Sequence, residues 1–217
     1  MGRIKIYKLG RTTSTNDVAK KLAKKKRDDF LVLAKEQTSG RGRKGRNWLS
    51  PKGGLYFTIC TDHDHLLSIK TGVAIARALG DMDINSSLKW PNDVLVNNKK
   101  ICGILTEIYE NRALVGIGLN IDSEPIDDST SIESVTEKKY LPENLMKSIL
   151  RYFYDGSIDV LESYRQYSST IGKDVRIETA SGIITGKVND IDENGRLILQ
   201  DGSKVISGDV IHLRPPN

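Results

Sequence analysis

The segment "LKWPNDVLVNNKKICGILTEIYENRALVGIGLNI", residues 88–121, predicts three successive strands joined by tight turns, and therefore a β-sheet. Runs rich in Val, Ile and Leu between Asn-containing breaks are typical of strands and hairpins. Asparagine tolerates the positive φ angles of two-residue hairpin turns, so we expect turns at 97–98 and 111–112. Pro91 cannot donate to a strand ladder, and "WPND" is therefore interpreted as a shaped turn at a sheet edge.

The rest of the chain contains both helical and strand patterns. Apolar runs predict strands at residues 4–10, 30–36 and 53–60, and helical spacing predicts helices from Ser14 or Thr15 and over 68–79, 142–156 and 158–167. In the first helix, Val18 and Leu22 lie four residues apart on one face, and Lys20–Arg27 give a basic end. Residues 122–139 are acidic and serine-rich, which favours a loop.

The sequence pattern changes after Gly172, where short predicted strands alternate with glycine-containing turns up to the last residues. This pattern is typical of a small β-barrel or SH3-like module. We therefore expect two domains, residues 1–172 and 173–217. The predicted fold class is α+β, a mixed β-sheet flanked by helices with a small C-terminal SH3-like β-barrel.

Composition narrows the classes of function. The 217 residues carry a net charge of +5, which permits an acidic partner without requiring one. Neither a signal-peptide core nor an apolar run long enough for a membrane span is present, so we expect a cytoplasmic protein with no membrane partner. His63 and His65 in "TDHDH" are interpreted as a polar turn. No metal site is predicted, because no third histidine lies nearby and the two cysteines, Cys60 and Cys102, are in no metal-ligand spacing.

The segment "SGRGRKGRNW", residues 39–48, combines three glycines with four positive charges. Glycine lets a ligand approach the backbone closely, and arginine forks suit carboxylates and phosphates. The segment therefore indicates a loop that holds an anion, while a basic loop that only contacts solvent remains the alternative.

Two further segments carry polar groups at places where ligands bind. The hydroxyls and amide of Ser14–Asn16 open a helix, where they can cap the helix or hold polar ligand groups. Lys100 begins a strand beside Gly103, and its ammonium could meet a phosphate or carboxylate. The alternative for Lys100 is a solvated hairpin lysine.

Taken together, these segments resemble the biotin protein ligases. The resemblance covers nearly the whole chain and rests on "STND" (14–17), "EQTSGRGRKGRNWLSPKGGLYFTI" (36–59), "KWPND" (89–93), "KKICGIL" (99–105), "VGIGLNI" (115–121) and the C-terminal segment from "GKDVRI". It implies a class II synthetase-like catalytic domain that binds biotin and ATP, followed by the family's C-terminal domain. Since "STND" begins at residue 14, we expect the monofunctional form, without a DNA-binding domain and without specific DNA binding.

The resemblance also implies a reaction. Biotin attacks the α-phosphate of ATP, with Mg²⁺, to give biotinyl-5′-AMP, and a lysine of a biotin carboxyl carrier protein domain then takes the biotinyl group. We expect a homodimer, as is common in the family.

Site residues follow from the same resemblance. Those implied in catalysis are Lys100, Arg41 and Arg43. Those implied in biotin binding are Ser14, Thr15, Asn16, Gln37, Gly40, Arg41, Gly42, Arg43, Lys100 and Gly103. Those implied in ATP binding are Arg43, Arg46, Trp48, Asn92, Lys100 and Asn120, with the Trp48 indole stacked on adenine.

Three questions stay open at the level of sequence. Asp93 is a candidate to assist deprotonation of the acceptor lysine, whose unperturbed pKa is about 10.4. A lipoate–protein ligase is the nearest rival, since it uses a related fold and a similar adenylation. A basic nucleic-acid-binding protein is a more distant rival, because aromatic residues for base stacking make up only 6% of the chain.

Overall fold

The structure, a computed structural model, describes residues 4–122 and 128–213. The main β-sheet contains β1 (Lys5–Thr12), β2 (Phe30–Gln37), β3 (Leu55–Asp62), β4 (Ser87–Lys89), β5 (Asp93–Val96), β6 (Lys99–Tyr109) and β7 (Arg112–Leu119). The helices are α1 (Thr15–Ala23), α2 (Leu67–Gly80), α3 (Ile132–Thr136), α4 (Pro142–Phe153) and α5 (Val160–Tyr167). The C-terminal sheet contains β8 (Asp174–Thr179), β9 (Gly182–Ile191), β10 (Leu197–Leu199), β11 (Lys204–Val205) and β12 (Asp209–His212).

The main sheet is mixed, with strand order β1-β2-β3-β7-β6-β5-β4. Only the β1–β2 pair is parallel among its described pairings. The predicted turn at 97–98 is confirmed, since Val96 pairs with Lys99 and both asparagines have positive φ. The second turn lies one residue earlier than predicted, at 110–111. Arg112 belongs to β7 instead, because its buried guanidinium donates to Asp29 at 2.7 Å.

Helices cover both faces of the main sheet. Helices α2 and α4 pack in the large core, whereas α1 packs in a smaller cluster with Phe30, Val32 and Leu114. Strand β2 is buried along most of its length because it is covered on both sides. Val18 and Leu22, which the sequence placed on one face of α1, are partly buried and pack against this smaller cluster, and Ala19 and Ala23 are its fully buried contacts.

Helix α1 also ends earlier than its lysine-rich sequence suggests. The carbonyl of Leu22 accepts hydrogen bonds from the backbone N–H groups of Lys25 and Lys26, which closes the last turn. Lysines 24–26 and Arg27 are therefore exposed residues that follow the helix.

The predicted loop at 122–139 contains the short helix α3, which the sequence did not indicate. The Ser131 hydroxyl accepts from the backbone N–H of Ser134 and caps the helix, and Ile132 is fully buried beneath it. Residues 123–127 of the predicted loop lie outside the described residues.

The C-terminal sheet has the order β11-β10-β9-β8-β12, with antiparallel pairing throughout the described residues. Its arrangement is SH3-like, although no described pairing joins β11 to β12 to close a barrel. Its buried apolar side chains belong to the same core cluster as those of the main sheet. The Trp90 indole donates to the carbonyl of Gly195 at 2.9 Å, which ties the "WPND" turn to this sheet. In the described part of the chain, no helix is long and apolar enough to cross a membrane.

Candidate active site

A cleft of about 990 Å³ lies between the main sheet, the start of α1, the basic loop and the C-terminal sheet. Nearly all residues that the sequence predicted for the site line this cleft: Ser14, Thr15, Asn16, Gln37, Arg41, Gly42, Arg43, Arg46, Trp48, Asn92, Lys100, Gly103 and Asn120. Gly40 lies behind it, where its carbonyl accepts from the Trp48 backbone N–H at 2.9 Å. A side chain at Gly40 would meet the Trp48 carbonyl and the Ser50 hydroxyl, so Gly40 holds the base of the loop.

One end of the cleft is a network of buried polar side chains at the start of α1. Gln37 Oε1 accepts from Thr15 N at 2.8 Å and from Thr15 Oγ1 at 3.1 Å. Asn16 Oδ1 accepts from the hydroxyl of Thr58 at 2.6 Å. Ser14 occupies the N-cap position, but its hydroxyl makes no capping hydrogen bond to the helix. The start of α1 therefore presents oriented polar groups to the cleft.

Sequence reasoning missed Glu107, which connects this network to the basic loop. Its carboxylate accepts from Asn16 Nδ2 at 2.6 Å and from Arg41 Nη2 at 2.9 Å. Arg41 also pairs with Asp17, and this hydrogen bond is the largest of the effects that raise the Arg41 pKa. Glu107 lies four residues after Gly103, and period-two alternation along β6 could have indicated that both share one face.

Lys100 lies near the middle of the cleft. Its Nζ is 2.6 Å from Asp93 Oδ1 and 5.4 Å from the centre of the Trp48 ring. Its backbone is fixed by hydrogen bonds with Asp128 and Thr130. Lys99 is exposed, as expected for adjacent strand residues that point to opposite faces. Lys100 is therefore the ammonium that β6 presents to the cleft.

The Trp48 indole lies against a floor formed by Gly103 and Gly118, which pair across β6 and β7. A Cβ at Gly118 would overlap the indole, so this contact requires glycine. The Trp48 Nε1 is buried and has no hydrogen-bond partner among the described residues. Gly118 was not among the predicted site residues.

Three cations of the basic loop converge on Asp209 of β12. The nitrogen-to-carboxylate distances are 3.4 Å for Arg43, 3.3 Å for Lys44 and 2.9 Å for Arg46. Arg43 also donates to Asn92 Oδ1 and to the Gly208 carbonyl, each at 3.1 Å. Burial lowers the pKa of Arg43 although Asp209 opposes the shift. No local pattern in the sequence indicated Asp209.

The two asparagines that the sequence predicted for ATP binding use their amide nitrogens to hold neighbouring backbone. Asn92 donates to the Ile104 carbonyl at 2.8 Å, and Asn120 donates to the Thr130 carbonyl at 3.0 Å. They therefore shape the wall of the cleft. Within the described residues, no group of three or more His, Cys, Asp or Glu side chains could hold a metal ion.

Comparison with known proteins assigns the family. A profile described as "Biotin/lipoate A/B protein ligase family" matches residues 9–123, more than half of the chain. The chain belongs to this family. A second profile, "Biotin protein ligase C terminal domain", matches residues 170–213. The biotin–[acetyl-CoA-carboxylase] ligase of Mycobacterium tuberculosis is 30% identical over 213 residues, which cover 86% of this chain and 80% of the relative.

Solved ligase structures resemble this family member along nearly its whole length. The biotin protein ligase of Aquifex aeolicus in complex with biotin and ATP has a TM-score of 0.83 and 27% identity, covering 97% of this chain and 99% of its own. The enzyme of Leishmania major in complex with biotinyl-5-AMP has a TM-score of 0.69 and 27% identity, with the same coverage. The α+β fold class with an SH3-like C-terminal sheet is thus confirmed.

Proposed function

We propose that this chain is an ATP-dependent biotin protein ligase, which makes biotinyl-5′-AMP and transfers the biotinyl group to a carrier lysine. One observation carries this proposal: Lys100 and the basic loop face the same cleft as the polar start of α1. Such a cleft can hold a molecule with a polar ring at one end and a carboxylate at the other, next to a nucleotide. The biotin-specific C-terminal profile favours biotin over lipoate.

In this proposal, the biotin ring occupies the end of the cleft at Ser14, Thr15, Asn16 and Gln37. The ureido group of biotin has one acceptor oxygen and two N–H donors, and this end offers amides and hydroxyls of both kinds. Thr15 and Gln37 are already oriented by hydrogen bonds to each other, and Asn16 by its bond with Thr58, so binding orders few additional groups. Gly103 leaves room for the bound molecule beside β6.

The reacting groups meet at Lys100. The biotin carboxylate and the α-phosphate of ATP are both anions, so a cation is needed where their charges approach. The Lys100 ammonium supplies this cation after its partner Asp93 is exchanged for substrate oxygens. Arg41 and Arg43, with Gly42 as a flexible neighbour above the fixed base at Gly40, then close over the anions and exclude water from the adenylate.

The nucleotide occupies the side of the cleft at Arg43, Arg46, Asn92 and Asn120. Mg²⁺ enters with ATP as part of the substrate complex. For the indole to stack on adenine, Trp48 moves from its contact with Gly103 and Gly118. Pyrophosphate leaves, and biotinyl-5′-AMP remains beneath the loop.

In the second half-reaction, the amine of the carrier lysine attacks the biotinyl carbonyl. An amide forms, the bond to phosphate breaks and AMP leaves. The amine must lose its proton, and Asp93, which lies 2.6 Å from Lys100 Nζ, is the candidate carboxylate for this role. We propose residues 1–172 as the catalytic domain, 173–217 as the C-terminal domain, and a homodimer as the assembly.

The test is incubation of the purified protein with biotin and α-labelled ATP, followed by separation of labelled adenylate and AMP. We expect labelled biotinyl-AMP, and then biotin on a carrier domain with release of labelled AMP. Lipoate replaces biotin in a parallel reaction. Adenylate formed with lipoate but not with biotin would overturn the proposal.

A further inference from the structure

We propose that Asp209 is a positioning residue that holds the basic loop against the C-terminal sheet in the ligand-free protein. We call this contact the Asp209 latch and define it as Asp209 with Arg43, Lys44 and Arg46. When substrates bind, their anions take the place of the Asp209 carboxylate; this exchange rests on the proposed function. The C-terminal sheet thereby controls where the loop rests before catalysis.

The latch is more than an exposed ion pair. Isolated exposed pairs contribute little to stability, whereas networks with partly buried members contribute more. Only about a quarter of the Asp209 side chain and a fifth of the Arg43 side chain are exposed. Main-chain oxygens strengthen the contact, because Arg43 donates to the Gly208 carbonyl at 3.1 Å and Lys44 to the Glu178 carbonyl at 3.0 Å.

The two sides of the latch differ in rigidity. On the C-terminal side, Asp209 pairs with Glu178 in the β12–β8 ladder, and a Cβ on Gly208 would overlap Ile177. On the loop side, the backbone is held by a single short 3₁₀ turn, Arg43–Gly45, and by a few hydrogen bonds across the loop. The sheet is therefore the fixed anchor, and the loop is the part that is positioned.

Charge explains why a substrate anion can replace the Asp209 carboxylate. One carboxylate faces three cations, so two positive charges are left over and attract a further anion. Burial by itself would raise the pKa of Asp209, but the three cations outweigh it and keep the pKa low, so the carboxylate is ionised at neutral pH. A substrate phosphate or carboxylate competes with this carboxylate for the same guanidinium groups.

The test is limited trypsin digestion of the ligand-free protein, with cuts at residues 41–46 quantified by mass spectrometry. Asp209→Asn removes the charge but keeps the shape of the side chain. We expect cleavage at 41–46 to become roughly three- to tenfold faster, as for the loss of one ion-pair network. Added salt should speed cleavage after Arg43, Lys44 and Arg46 in the wild type but much less in Asp209→Asn, because the contact that salt screens at these three residues is already gone.

Asp190→Asn is the matched control. Asp190 also joins the C-terminal sheet to the rest of the chain, through Arg165 at 2.8 Å, but it does not touch the loop. Its loop cleavage and salt response should match the wild type, and thermal unfolding checks that both variants are folded. Equal loop cleavage in Asp209→Asn and wild type, or an equal acceleration in Asp190→Asn, would overturn the latch.

Protection of the loop by ligands tests the proposed function separately from the latch. Biotin with ATP should protect the loop in the wild type and in Asp209→Asn, since the ligand anions supply the missing charge. If cleavage depends on Asp209 as expected but the ligands protect neither protein, the latch stands and the proposed substrates are wrong. If the ligands protect the wild type but not Asp209→Asn, the exchange of Asp209 for ligand anions is wrong.

Discussion

At the scale of single residues, Lys99 and Lys100 are adjacent lysines of which only one faces the cleft. Both are lysines at the start of β6, and sequence alone gives them the same chemical group. The strand separates them, since Lys100 reaches into the cleft towards Asp93 while Lys99 is exposed. We therefore expect the two alanine variants to differ sharply.

Lys100→Ala should reduce biotinyl-AMP formation by about a hundred- to a thousandfold, the usual cost of losing one preorganised donor to the transition state. The fold should change little, because the Lys100 side chain is one-third exposed at the edge of the cleft. Single-turnover adenylate formation measures this effect. Lys99→Ala is the control, and its rate should stay near that of the wild type. A large loss of rate in Lys99→Ala but not in Lys100→Ala would show that the wrong lysine of β6 is assigned to the reaction.

Gly118→Ala should displace the Trp48 indole, because the new Cβ would overlap it. Only two tryptophans are present, and Trp90 is buried with a hydrogen bond to Gly195, so a change in fluorescence reports on Trp48. We expect red-shifted emission as the indole becomes exposed. Gly10→Ala is the control, since nothing lies within 4 Å of its added Cβ. Unchanged emission in Gly118→Ala would contradict the close contact between the Trp48 indole and Gly118.

At the scale of elements, the β9–β10 turn is held by one buried carboxylate. Asp192 accepts from the backbone N–H groups of Asn194 and Arg196 at 3.0 Å, and from the Arg196 side chain at 2.7 Å. Burial would raise the pKa of Asp192, but these hydrogen bonds and Lys204 outweigh it and lower the pKa from 3.8 to about 2. The turn matters for the site because Gly195 within it accepts from Trp90.

Asp192→Asn should lower the free energy of unfolding by about 1–2 kcal/mol at neutral pH, through weaker hydrogen bonds. Because the folded pKa is lower than the unfolded one, the stabilisation is present above pH 3.8 and is lost as the pH falls through about 2. Urea unfolding at several pH values should therefore show the two proteins converging in acid. Asp201→Asn, in an exposed turn, is the control and should have a smaller effect.

At the scale of the whole molecule, the exposed lysines of α1 and the residues after it form a basic surface beside the cleft. Lys20, Lys21 and Lys24 line a shallow depression with Asp17, which pairs with Arg41 of the basic loop. An acidic carrier domain would be attracted to this side of the molecule. Charges at the rim of an interface act mainly on the association rate.

Replacing Lys21 and Lys24 with glutamate should raise the apparent KM for the carrier roughly tenfold at low salt, and less at high salt. Adenylate formation without carrier should not change. The control replaces Lys138 and Lys139 with glutamate, since these exposed lysines lie outside this surface and give the same change in net charge. An equal effect in both variants would mean that only net charge matters.

Local pattern determined much of this protein by itself. The run at 88–121 predicted the three-strand core because alternation and hairpin turns depend on adjacent residues. Glycines among arginines predicted an anion-binding loop; the structure places this loop at the cleft, and its binding of an anion stays a prediction. Tertiary structure alone decided that Asn16 meets Glu107, 91 residues away, and that Arg46 meets Asp209, 163 residues away. Such contacts depend on strand order and on how the C-terminal sheet packs against the main sheet. Neither leaves a periodic signal in the sequence, because periodicity reports only which face of its own element a residue occupies.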